Sequence, residues 1–122
     1  MDRDDVRRWV AGYEAAWRSP GTEALDDLFA ADATYRMSPW AAPVSGLAAI
    51  RQLWESEREG PGEAFTMSSD VVAVDGQVAV VRVEVAYDTG RWRDLWVLLL
   101  GEDGRCRAFE EWPFAPDQPD GH

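Results

Sequence analysis

Histidine is all but missing from this chain, and lysine is missing altogether. The one histidine, His122, is the last residue, in a tail (PDQPDGH) that reads as mobile. All 12 basic residues are arginines. Without an internal imidazole there is no structural zinc site to expect, no histidine-based triad and no histidine general base. No metal and no cofactor is expected. Proton transfer must then fall to Asp, Glu or Tyr.

Cysteine is nearly as scarce. The single one, Cys106, cannot close an internal disulfide, which fits a reducing, cytoplasmic setting. No apolar run approaches membrane-spanning length, and the opening MDRDDVRRWV is charged, unlike a signal segment. Positive charge is in short supply too. A net charge of −11 leaves no basic patch to neutralise nucleic-acid phosphates or to meet an anionic membrane surface.

Aromatic residues, by contrast, are plentiful. Seven tryptophans in 122 residues fit either a core filled with bulky side chains or an aromatic-lined cavity. The length suits one domain, expected over residues 1–116, with 117–122 as the tail.

Along the chain, Val6, Trp9, Val10, Tyr13 and Trp17 follow helical spacing, and Ser19-Pro20-Gly21 ends that helix. Leu25, Leu28 and Phe29 mark a second, shorter helix, with Glu23, Asp26 and Asp27 suited to its N-terminal end. Ala33 to Met37 reads as a short strand, and Ser38 to Gly46, with two prolines, as a loop. Ser45 is placed to cap a third helix with the stripe Leu47, Ile50, Leu53 and Trp54, while Arg51 and Glu55 can pair on its outer side. Gly60-Pro61-Gly62 stops it.

From Ala64 the pattern is β. Phe65 to Val74 and Gln77 to Tyr87 flank a turn at Asp75-Gly76, and Asp88-Thr89-Gly90 leads into a last hairpin, Arg91 to Phe114. Ala79, Val81, Val83, Val85 and Tyr87 make one face of their strand wholly apolar; Arg82 and Glu84 share the other, solvated one. The fold class is α+β: three helices, the third followed by a four-strand meander.

The last hairpin carries the candidate site. A two-residue turn at Asp103-Gly104 pairs positions whose numbers sum to 207, so Trp96 faces Glu111 and Leu98 faces Phe109. One face then mixes Trp, Leu and Phe with two carboxylates, Asp94 and Glu111. The other, with Leu95, Val97, Leu99, Ala108, Glu110 and Trp112, is mostly aliphatic and predicts a homodimer contact. A three-residue turn, Glu102-Asp103-Gly104, would change the sum to 206 and exchange Glu111 for Glu110.

The segments GYEAAWRSPGTEALDDLFAADATY (residues 12–35) and DGRCRAFEEWPF (103–114), with the order of elements, resemble the nuclear transport factor two-like superfamily, and within it the SnoaL-like bacterial proteins. The resemblance implies a cone: a curved mixed sheet wrapped around a long N-terminal helix, enclosing a cavity, with the convex sheet face often a homodimer contact. It leaves function open, because that superfamily holds isomerases, dehydratases, cyclases, epoxide hydrolases and non-catalytic binding domains. Against its ketosteroid isomerases, Tyr13 falls at the oxyanion tyrosine. Their general-base aspartate falls near Met37 or Ser38, and their protonated oxyanion aspartate at Trp96, which cannot titrate. Two of three roles are altered, which argues against steroid isomerisation by that mechanism.

The expected pocket is lined by Tyr13, Trp17, Tyr35, Trp40, Trp54, Trp92, Trp96 and Phe109, with Asp94 and Glu111 as its ionisable groups. Plain core packing is the competing reading for each aromatic, and a rim pair with Arg91 or Arg93 for Asp94. Two functions follow. One is an isomerase, cyclase or dehydratase acting on an apolar, aromatic or polycyclic molecule, with Glu111 or Asp94 moving the proton and Tyr13 steadying negative charge. The other is a non-catalytic ligand-binding or dimeric assembly domain.

Overall fold

A computed structural model describes residues 1–58 and 64–118. The predicted stop at Gly60-Pro61-Gly62 and the end of the tail, with His122, lie outside these residues. Helix α1 (Arg3–Arg18) opens on a reciprocal cap: the Asp2 side chain accepts from the Asp5 backbone, and the Asp5 side chain accepts from that of Asp2. Its buried face is Val6, Trp9, Val10, Tyr13 and Ala16. Helix α2 is a single turn (Leu25–Leu28), bound to α1 through the Trp9 indole, which donates to the Leu28 carbonyl at 2.9 Å.

Strand β1 (Phe29–Arg36) follows, then the two-residue β2 (Val44–Ser45), α3 (Leu47–Glu57), β3 (Phe65–Asp75), β4 (Val78–Tyr87), β5 (Gly90–Leu100) and β6 (Cys106–Phe114). They form one curved, mixed sheet in the order β2-β1-β6-β5-β4-β3, parallel between β1 and β6 and antiparallel elsewhere. The expected four-strand meander after the third helix is present. Helices α1 and α3 pack on the concave side, and the core between them holds Trp9, Phe29, Leu98 and Phe109.

Several local expectations are corrected. The strand expected at Ala33–Met37 starts four residues earlier, because β1 pairs with β6 from Phe29 across an irregularity in register. Ser45 does not cap α3. It pairs with Thr34 in β2, and Gly46, at φ 90°, takes the cap position and donates its N–H to Ala33 at 2.8 Å. Arg51 turns from Glu55 to an ion pair with Asp26. The β3–β4 loop is Gly76-Gln77 rather than Asp75-Gly76, since Asp75 pairs with Val78. Only the glycine there has positive φ, at 59°, as a glycine-first hairpin turn requires.

The turn of the last hairpin differs most. Gly104, at φ 81°, donates its N–H to the Gly101 carbonyl at 3.0 Å, so the loop is Glu102-Asp103-Gly104. Asp103 keeps negative φ and accepts from the Arg105 backbone, which avoids the left-handed conformation a two-residue turn would demand of it. That loop alone would turn Glu110 inward. A bulge prevents it: Leu100 pairs with Cys106 but Leu99 with Ala108, leaving Arg107 unpaired. From there on Val97 meets Glu110 and Trp96 meets Glu111. The expected register holds, though for a different reason.

Candidate functional site

The concave face of β5 presents Asp94, Trp96, Leu98 and Leu100, all buried. On β6, Phe109 and Glu111 point to the same side, opposite Leu98 and Trp96. Asp94 sits one pleat from Trp96, so the two carboxyls are diagonal neighbours on one surface. They open into a cavity of about 840 Å³.

A line of hydroxyls leads to the acids. The Tyr35 hydroxyl donates to Glu111 Oε2 at 2.7 Å, and the Tyr13 hydroxyl lies 3.3 Å from that of Tyr35. Trp96 Nε1 donates to Asp94 Oδ2 at 3.4 Å. The other Asp94 oxygen is buried and meets no N–H or hydroxyl donor. The Glu111 carboxyl interacts with Asp94 side chain to side chain, and by keeping its proton it can donate to it.

The electrostatics agree with that geometry. Burial, and then the neighbouring Asp94 charge, push Glu111 up to about 8; the Tyr35 hydrogen bond pulls the other way. Burial also raises Asp94, and the hydrogen bonds from Trp96 and Glu111 oppose the rise. Glu111 is therefore the group that keeps its proton near neutral pH, with Asp94 as its neighbour. Tyr13 and Tyr35 are held well above the usual phenol range, chiefly by burial and next by the charge of Glu111. Both remain donors.

The structure brings Tyr13, Trp17, Tyr35, Trp54, Trp92, Trp96, Asp94 and Glu111 to this one cavity. Trp92 stands at its mouth, 38% exposed. Trp40 does not belong to it: the residue is 98% exposed, because the loop after β1 carries it away from the sheet. Phe109 is also misplaced as a lining residue. It lies 1% exposed in the core beneath the cavity floor, against Tyr35 and Trp96. Among the described residues Asp94 makes no ion pair with Arg91, which lines the same cavity, or with Arg93, which meets Glu84 on the opposite face at 3.2 Å.

Sequence reasoning passed over Glu57, Met37, Met67 and Tyr87, which also line the space. Glu57 was within reach of it, being one helical turn after Trp54 and therefore on the same side of α3. Tyr87 ends the apolar face of β4 and takes a hydrogen bond from Trp17 Nε1 at 3.0 Å. Among the described residues no cluster of His, Cys, Asp and Glu side chains is arranged to hold a metal ion. Nor is any helix long and apolar enough to cross a membrane.

Comparison with known proteins gives one family and one fold. The family model of the SnoaL-like domain matches residues 6–108, a span that includes Tyr13, Tyr35 and Asp94 and stops just short of Glu111. No curated protein matches. Among solved structures, a de novo designed protein with a curved β-sheet superposes with a TM-score of 0.73 at 16% identity, covering 97% of this chain and 91% of that one. The epoxide hydrolase/cyclase-like enzyme SalBIII, of pyran ring formation in the polyether salinomycin, gives 0.72 at 16% identity over 93% of each chain. A steroid delta-isomerase from Pseudomonas aeruginosa gives 0.68 at 18% identity, covering 99% of this chain and 87% of its own. At these identities the likeness is one of fold.

Proposed function

The chain belongs to the SnoaL-like family, and from that premise we propose that its cavity binds a small apolar molecule, aromatic or polycyclic, and moves a proton on it in the manner of an isomerase, cyclase or dehydratase. The observation that carries this reading is the pair of carboxyls, Asp94 buried and Glu111 half-buried, that line one cavity beside a line of tyrosine hydroxyls. Two acids whose environments separate their proton affinities supply an acid and a base side by side.

Glu111, holding its proton, is the general acid, and it gives that proton to a carbonyl or leaving oxygen of the ligand. Asp94, holding less tightly, is the carboxylate base that takes a proton from carbon. The hydrogen bond between them returns the proton from Asp94 to Glu111, so the pair ends as it began. Tyr35 steadies Glu111 when it is ionised, and Tyr13 supports the Tyr35 hydroxyl. In this reading Tyr13, which also lines the cavity, steadies negative charge through Tyr35 and Glu111.

We also propose that the protein acts as a homodimer through the convex sheet face. Leu95, Val97, Leu99 and Trp112 lie there only half-buried within one chain.

The test is exchange of acidic C–H hydrogens for deuterium, followed by NMR on a panel of planar cyclic ketones. Wild type should exchange at least one of them, while Glu111→Gln and Asp94→Asn should bind it without exchange. Ligands that bind wild type and never exchange would favour the non-catalytic alternative.

A further inference from the structure

We propose that the ligand of this cavity carries a positive charge, as an ammonium group on an aromatic or apolar body, and that the acid pair recognises that ammonium. The inference rests on the cavity being a small-molecule site and adds the charge of its occupant.

The walls count against an anion. Asp94 and Glu111 form the floor, and the exposed Glu57 and Asp117 stand at the rim, with Arg91 as the cation lining the same space. Two other arginines near the mouth are committed elsewhere. Arg58 donates to the carbonyls of Ser19 and Gly21, both at 2.6 Å. Arg18 pairs with Glu14 and donates to the Phe65 carbonyl, both at 2.9 Å. The whole chain, at −11, adds a field that concentrates cations around it.

The rings favour a cation as well. Arg18 already lies 3.9 Å over the Phe65 ring, and Arg58 lies within 5.8–6.0 Å of Trp17 and Trp54. These π faces therefore attract guanidinium groups within the folded chain, and on their inner side they can do so for a ligand. At the floor, the buried Asp94 oxygen without an N–H donor is an acceptor in want of one. An ammonium N–H there would supply the donor that this oxygen lacks. Its charge would then lower the hold of Glu111 on its proton, so that the proton passes more readily to the ligand, or to solvent where the ligand offers no acceptor.

Three probes of one shape separate the possibilities: phenethylammonium, 2-phenylethanol and phenylacetate. Binding is read by tryptophan fluorescence, and by calorimetry in two buffers of different ionisation heat. The expected result is phenethylammonium bound about tenfold or more tighter than the alcohol, with proton release, and phenylacetate not bound. Asp94→Asn should erase the preference. Should that variant fail to fold, wild type alone serves. The ammonium preference should grow as pH rises through about 8, where Glu111 ionises. Glu57, Asp94, Asp117, Arg91 and the tyrosines 13, 35 and 87 also face that space, and Tyr13 and Tyr35 keep their protons there. Equal or tighter binding of the alcohol overturns the charge inference while leaving the cavity reading standing. Binding of none of the three overturns both.

Discussion

Replacing Glu111 by glutamine should stabilise this protein at neutral pH. The native side chain titrates at about 8, against an ordinary value of 4.5. At pH 7 the unfolded chain has therefore lost a proton that the folded chain keeps. A raised native value means stability is fully present below about 4.5, falls as pH rises, and levels off above about 8. From 4.5 to 7, at roughly 1.4 kcal/mol per pH unit, the loss is about 3 kcal/mol. Glutamine never ionises, so it does not suffer this loss. Its carbonyl can accept from Tyr35, and its amide can donate to Asp94, in place of the Glu111 proton. The expected gain at pH 7 is about 2–3 kcal/mol, or on the order of 10 °C in melting temperature for a chain of this size. Thermal and denaturant unfolding of both proteins across about pH 5 to 8 measures it. The variant's advantage should grow with pH at no more than roughly 1.4 kcal/mol per unit. An advantage that is constant across that range, or a variant less stable throughout, would refute a proton-holding Glu111.

Tyr35→Phe removes the hydroxyl that favours ionised Glu111, so Glu111 should titrate higher still. Its carboxyl carbon, followed by NMR across pH, should show that upward shift with the fold intact; a downward shift would contradict the hydrogen-bond assignment. Val97→Glu puts a charge at the centre of the convex face and should convert a dimer into monomers. The association free energy lost is several kcal/mol if two carboxylates must be buried. Sedimentation of the wild type as a monomer at tens of micromolar would dismiss the dimer before the variant is made.

The sequence by itself determined the kind of protein this is. Apolar spacing in α1 (Val6, Trp9, Val10, Tyr13) and the wholly apolar face of β4 (Ala79, Val81, Val83) are local signals, and the named residues are all buried. The missing histidines and lysines likewise left carboxyls and phenols to carry any proton chemistry. Tertiary structure decided which of these groups meet. Tyr35 and Glu111 are 76 residues apart, and only the parallel β1–β6 pairing brings them together. Trp40 shows the converse, since a tryptophan beside prolines looks alike in sequence whether its loop folds over a cavity or away from it. Glu111 shows why register resists reading. The turn residues signal a loop but not its length, and the Arg107 bulge carries no mark in the sequence. A loop one residue longer and a bulge of one residue cancel, and the side that Glu111 faces depends on their sum. Alternation has a period of two, so each single-residue change reverses the face, and only the packed sheet fixes how many such changes there are.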